Sequence, residues 1–536
     1  MHWKLLLAAS CLALGTLACS SAQPPAQTTP SDQPKQGGTF HVSVTDDPFD
    51  YDMSLTGSSN TNPYIIKLSY NSLMRKKVGP DIGYGQSVIE PALVESWEVS
   101  PDAKSYTFHL RKDLKFANIP PVNGRALTSA DVKFSYEYMA RTGAYSNIPA
   151  GQFTYLFEGM QPIETPDANT VIVKFKDGFA PFLNYAGSSD NVIMPKEIFD
   201  ADGNFKNRIA GSGPFQLDVA ASQKGSSWIM KRNPTYFEPG RPYVNEVKFL
   251  IIVDDATRRA AFQSKQIDYI TTTDFRIADE IKKVAPNAAE QVFTTSPYRL
   301  DLNFKRPPLG DLRVRKAVSM ALDRDEMVKV LQGGRGGWAL ASSNIRSDLF
   351  TQDQVKSVIK YDPEGAKKLL TEAGFANGFK VELLSGETET ATKPAQLIQA
   401  YLKKVGIDAT LKPVNSTESA TRRRARDLDI LFLTEAQYSD LDGSLHLMVS
   451  PTGAFNYGSV DDPKINELLA AQRREVNPEK RNDLLRQLIR YENETATLIP
   501  TIWMNLYVYT QPHVRDFYQN ADYRSQGIID RVWLAN

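Results

Sequence analysis

The chain has 536 residues, 62 Lys and Arg against 62 Asp and Glu, and a 41% hydrophobic content. That length exceeds one ordinary domain, and a chain without basic excess carries no nucleic-acid footprint. Five His in all, and two Cys (Cys11 and Cys19) confined to the first twenty residues, exclude a disulfide framework, a thiolate zinc site and a histidine-rich metal centre. No metal and no cofactor is expected.

Lys4 precedes an apolar run, residues 5–18, broken by Ser10, Gly15 and Thr16. It is shorter than the roughly 20 residues of a membrane span and fits the core of a secretion signal over residues 1–18. Ala18, Cys19, Ser20 and Ser21 then resemble a lipobox, with Thr16 where that motif has Leu. Lipidation of Cys19 is the expectation, and cleavage without a lipid is the alternative. Residues 19–37, rich in Pro, Gln, Ser and Thr, read as a flexible tether. Fully extended, it reaches about 60 Å.

Phe40, Val42 and Val44 alternate as on a strand. Asp46, Asp47, Asp50 and Asp52 follow without a calcium-loop pattern, so a solvated turn is expected. The turn Ser100-Pro101-Asp102-Ala103 leads into the alternation of Tyr106, Phe108 and Leu110. Thr128 opens a helix, with Asp131 completing a capping box and Val132, Ser135, Tyr136 and Met139 on one face.

Strands are expected at 171–175 and 247–252, and a helix at 256–264. Between them, Gly211-Ser212-Gly213-Pro214 permits close backbone approach. It carries no Gly-Lys-Ser/Thr and no GxGxxG, which rejects a phosphate cradle. Leu300, Leu302 and Phe304 alternate; Val314, Ala317, Val318, Ala321 and Leu322 share a helix face. Asp362 and Pro363 open a helix that Gly374 ends. Strand 381–384, helix 395–405 and strands 408–411 and 429–433 complete an alternating α/β pattern. Helices at 471–476 and 480–494 precede a strand-rich segment at 498–510.

Several stretches carry a resemblance. They are Pro91-Ala92-Leu93, Glu95-Ser96-Trp97-Glu98, Tyr106-Thr107-Phe108-His109-Leu110-Arg111, Lys115-Phe116, Leu127-Thr128-Ser129-Ala130-Asp131-Val132 and Phe134-Ser135-Tyr136. In this order they resemble the family 5 extracellular solute-binding proteins, the receptors of bacterial ABC importers. Lys231-Arg232-Asn233-Pro234 and the run from Asn303 through Asp323 to Val328 fit the same family. The loop after Phe116 is longer than the family's. The resemblance implies an α/β, periplasmic-binding-protein-like, two-lobed fold of the large class II peptide-receptor type with an extra domain. Residues 38–69, 187–296 and 499–536 would form lobe I, residues 70–186 the additional domain and residues 297–498 lobe II.

Many family members carry Asp-Tyr, two further acidic residues and Leu where this chain has Gln437, Tyr438, Asp440, Asp442 and Leu445. In the peptide receptors the first Asp pairs with the peptide's α-amino group. Gln437 stands in its place, and a neutral amide offers no ion pair. Asp440, Glu435 and Asp442 are candidates to supply the missing charge; turn or cap roles are the alternative for the two Asp residues. Arg422, Arg423, Arg424 and Arg426 read as a solvated helix face, with Arg426 the candidate for a ligand carboxylate. Trp228, Trp338 and Trp503 are possible platforms or core residues, and Trp503 is carried as the site candidate.

The resemblance implies a receptor that holds an oligopeptide-like solute between closing lobes and delivers it to permease subunits. It would be a lipid-anchored monomer on the periplasmic or extracytoplasmic face of the membrane. A second reading keeps the fold but binds an oligosaccharide or another non-peptide solute. A third, a hydrolase using Asp440 and Asp442 as a carboxylate pair, finds no supporting nucleophile, HExxH or P-loop motif.

Overall fold

The computed structural model describes residues 33–48, 50–54, 62–83, 87–149, 151, 153–342, 346–435, 440–519 and 529–535. The calls on the secretion signal and Cys19, on most of the tether, and on Gln437 and Tyr438 lie outside these residues. Among the described residues, no helix is long and apolar enough to cross a membrane.

The strand Thr39–Val44 forms where the alternation predicts, burying Phe40, Val42 and Val44. It pairs in parallel with Glu246–Ile251, which continues through Ser227–Arg232 to Phe215–Leu217 in a four-stranded sheet. A second four-stranded sheet runs in the order Val94–Val99, Ser105–Leu110, Thr170–Lys174, Glu164–Asp167. Tyr106, Phe108 and Leu110 are its buried face. The Tyr106 hydroxyl donates to the Phe179 carbonyl at 2.8 Å, and the rings of Phe175, Phe179 and Phe182 pack together. The helix Ser129–Ala140 starts at Thr128, whose amide donates to Asp131 Oδ2 at 2.9 Å.

Both sheets feed one continuous apolar cluster that extends to Val514 and Val532. The residues expected to form an additional domain therefore share a core with lobe I. Gly211 and Gly213 show why glycine is needed in their motif. A Cβ on Gly211 would lie 1.9 Å from the Ser69 carbonyl oxygen, and one on Gly213 2.4 Å from that of Leu68.

A five-stranded mixed sheet organises the other half, in the order Ile407–Val414, Phe379–Gly386, Ile430–Thr434, Tyr298–Leu302, Leu498–Pro500. Its helices, including Leu312–Ala321, Pro363–Glu372 and Glu389–Lys404, cover a separate apolar cluster around Leu300, Val318, Leu383 and Ile430. A third cluster, around Leu445, Ile465 and Leu488, adjoins it.

The chain passes between these halves twice. The strand Ala289–Thr295 pairs antiparallel with Met504–Thr510 in a three-stranded sheet on the first side. Tyr298–Leu302 pairs with Leu498–Pro500 on the second. Residues 296–297 and 501–503 are thus neighbouring crossings. The second crossing is fastened to the second half. The Thr501 amide and hydroxyl donate to the Tyr298 carbonyl at 3.0 and 2.7 Å, and the Trp503 amide to that of Gly337 at 2.9 Å. Buried Arg324 donates from Nε and Nη2 to the Pro500 carbonyl at 3.0 and 2.7 Å.

Three expectations need correction. The acidic run after Val44 is not a solvated turn: Asp50 and Asp52 are buried. Asp52 accepts hydrogen bonds from the Ser54 amide and hydroxyl and from the Tyr138 hydroxyl, the last at 2.6 Å. Tyr298–Leu302 does not alternate, because it is an inner strand with every residue buried; its polar members, Arg299 and Asp301, neutralise each other through bonds of 2.7 and 3.1 Å. The helix expected at 471–476 spans Pro463–Arg474, capped by Asp462 with proline in the first turn. The first core generates a direct test. Phe108 is fully buried and packs on Phe182, so Phe108→Ala is expected to lower stability by about 3–5 kcal/mol, measured by urea unfolding.

Candidate functional site

In α/β sheets, ligands sit beyond the carboxyl ends of the strands. The carboxyl end of Ile430–Thr434 lies at the first crossing, where the Glu435 amide donates to the Pro297 carbonyl at 2.9 Å. Glu435 is buried, and its Oε2 accepts from the Ser342 amide at 3.2 Å. The Ser342 hydroxyl donates to Glu492 Oε1 at 2.8 Å. Ser342 therefore bridges two carboxylates, holding a left-handed backbone at φ 60°, a conformation that costs free energy and needs support from its surroundings. Burial raises the Glu492 carboxyl to about 8, opposed by the Ser342 bond and reinforced by the charge of Glu435.

Asp440 and Asp442 begin the helix Leu441–Val449, in which every residue is buried. Asp440 is its cap: Oδ1 accepts the Asp442 amide at 2.8 Å. Burial opposes ionisation of Asp440, but Arg481, bonded at 3.0 and 2.5 Å, brings its carboxyl down to about 2. Asp442 is likewise held below the usual range against the cost of burial, here by Arg473, whose Nε and Nη2 donate at 2.7 and 3.0 Å. Gln472 also donates to it. Neither carboxylate faces solvent as a simple turn former. Both are held ionised, so neither offers the proton a general acid must carry.

The other candidates do not converge on one point. Arg426 is exposed and ends the helix Ser416–Ala425 in a left-handed conformation; its Nε donates to the Asn456 carbonyl at 3.2 Å. That helix buries none of its residues, as the arginine run predicts. Trp503 is buried in the second crossing. Trp338 and Trp228 use their indole N–H groups on Asp325 and Asp47, at 2.7 and 2.8 Å. Sequence reasoning missed Ser342, Glu492, Arg473 and Arg481. The arginines sit on helices far along the chain from their aspartates, and no local pattern pairs them. Among the described residues, no group of three His, Cys, Asp or Glu is placed to hold a metal ion.

Comparison with known proteins agrees with this architecture. Residues 88–456 match the family described as Bacterial extracellular solute-binding proteins, family 5 Middle. The chain belongs to that family. It is 27% identical over 477 residues to the heme-binding protein A of Haemophilus influenzae, covering 84% of each chain. It is 30% identical over 364 residues to the dipeptide-binding protein of Escherichia coli, covering 64% of this chain and 65% of the other. The solved structure of AgaA from A. tumefaciens R10, in complex with agropinic acid, superposes with a TM-score of 0.80 at 24% identity, covering 93% of this chain and 99% of that one. The two-lobed α/β fold of periplasmic binding proteins, expected from the sequence, is the fold found.

The Glu492 environment generates a pH prediction. Its proton is held more tightly in the folded state than in the unfolded chain, where the ordinary value is 4.5. Its contribution is complete below about pH 4.5 and is lost as pH rises toward 8. Glu492→Gln is expected to flatten this slope, raising stability at pH 8 by on the order of 1–3 kcal/mol with little change near pH 4.5. Urea unfolding across that range measures it.

Proposed function

We propose that this chain is an extracytoplasmic receptor that captures a peptide-like solute between its two lobes. It passes the solute unaltered to the permease subunits of an ABC importer. The observation that carries this reading is the pair of neighbouring crossings at 296–297 and 501–503. Two separately packed cores joined by adjacent extended segments can rotate about that junction without repacking either one. Family membership and the dipeptide-binding relative support it. Backbone contacts supply affinity in such a cleft, and hydrated side-chain pockets accept varied sequences. The receptor works as a monomer, held at the membrane by lipid on Cys19 with the Pro-rich segment behind it as tether.

Asp440 and Asp442 are already paired with arginines. Glu435, at the hinge end of the sheet, is then the acidic side chain best placed to complement Gln437 in receiving a ligand amine. Tyr438, Asp440, Trp503 and Arg426 are the further contacts proposed, on the strength of the family resemblance. A second reading, a non-peptide solute, is favoured by Gln437; one relative is named for heme, and the solved AgaA structure of the same fold is a complex with agropinic acid.

A thermal-shift screen over peptide and sugar libraries, with native mass spectrometry of co-purified solute, separates the two. Free-amine peptides are expected to raise the melting temperature by mass action; shifts from sugars alone would favour the second reading. Gln437→Asp is expected to tighten binding of free-amine peptides about tenfold or more and to leave N-acetylated ones unchanged, as measured by calorimetry.

A further inference from the structure

The lobes also meet away from the crossings. Tyr185 and Asn184 belong to the segment Phe182–Ala186 and its flank on the first-lobe core, whereas Asp440, Asp442 and Arg473 belong to the second half. The Tyr185 hydroxyl donates to Asp442 Oδ2 at 2.7 Å, and the Asn184 amide to Asp440 Oδ2 at 2.6 Å. Arg473 Nη1 reaches Glu158, and the Ala180 amide donates to the Arg473 carbonyl at 2.7 Å. The Tyr155 ring stacks on His446, with centroids 5.8 Å apart and planes 14° apart.

We propose that this seam is a latch that holds the lobes closed without solute. The proposal rests on the hinge-closure reading above and adds a regulator of it. The distribution of partners carries the argument. Each buried aspartate keeps its counter-charge on its own lobe: Asp440 keeps Arg481 and Asp442 keeps Arg473. Across the seam they receive only neutral donors, Asn184 and Tyr185. Opening therefore breaks single hydrogen bonds and leaves no buried charge without its partner, the outcome that makes most buried ion pairs costly to separate.

Among the described residues, the charged contacts between the lobes meet solvent: Glu158, 53% exposed, pairs with Arg473 and lies 3.9 Å from His446, and Arg335 pairs with Asp279 at 2.9 Å with both groups exposed. Water can replace these contacts cheaply. A crevice of about 410 Å³, lined by Lys176, Phe179, His446, Asn466 and Arg474, runs beside the seam. Solvent therefore reaches its edge. A latch of this kind sets the fraction of receptor that is closed before solute arrives, and hence the apparent affinity.

The test uses single-molecule energy transfer on the whole chain, with dyes at Lys224→Cys and Lys368→Cys, exposed positions on opposite lobes. Cys11→Ser and Cys19→Ser remove the competing thiols, and native mass spectrometry verifies that no solute is bound. Tyr185→Phe is expected to raise the open-to-closed ratio about tenfold. Glu158→Gln, on the exposed rim, is expected to raise it about twofold and keeps the test alive where Tyr185→Phe lowers folding yield. An open state whose share neither variant alters overturns the latch and leaves hinge closure standing. A single distance in every protein, with and without a solute that binds, overturns the hinge-closure reading itself.

Discussion

The structure depends on a connectivity constraint: the chain passes between its two packed cores at two neighbouring segments. The outgoing one separates Ala289–Thr295 from Tyr298–Leu302, and the returning one separates Leu498–Pro500 from Met504–Thr510. On each side the flanking strands are hydrogen-bonded to each other. The rotation proposed above would therefore fall on a few residues and leave both cores packed. The Arg324 side chain and the Thr501 and Trp503 amides anchor the returning crossing to the second half.

The buried charges follow the same division. Arg299 neutralises Asp301 within one strand, Arg481 neutralises Asp440 and Arg473 neutralises Asp442, all inside the second half. An ion pair split between lobes would leave two uncompensated charges on each opening. Confining each of these buried pairs to one side leaves the ion pairs that do cross, Arg335 with Asp279 and Arg473 with Glu158, on exposed carboxylates that water can solvate. The contrast is the Glu435–Ser342–Glu492 group, where two buried carboxylates share one bridging serine. Burial and the neighbouring Glu435 charge favour a retained proton on Glu492.

The local elements were legible because local rules determine them. Phe40, Val42 and Val44, or Tyr106, Phe108 and Leu110, bury one face of a strand at period two. Thr128 with Asp131, and Asp362 with Pro363, mark helix starts through short-range hydrogen bonds and a preset φ. The same Asp-Pro signal at Asp462 and Pro463 opens the helix Pro463–Arg474, ahead of the start expected at 471. Family resemblance extended this from elements to the two-lobed fold.

Burial of charge, by contrast, was decided only in three dimensions. Asp50 and Asp52 read as solvated, yet Tyr138, 86 residues from Asp52, closes over that carboxylate. Arg299 and Asp301 alternate with the apolar Leu300 and Leu302, yet both are buried on an inner strand, where they pair with each other. Asp440 and Asp442 read as ligand contacts, turn formers or helix caps; Asp440 is indeed a cap, but the arginines 41 and 31 residues onward that pair with the two carboxylates left no local sign. A sequence states which side chains are charged and which local shape each segment prefers. Whether a charge meets water, a ligand or a distant opposite charge depends on the packing of segments remote in sequence, because electrostatic pairing acts through space and leaves no periodicity along the chain.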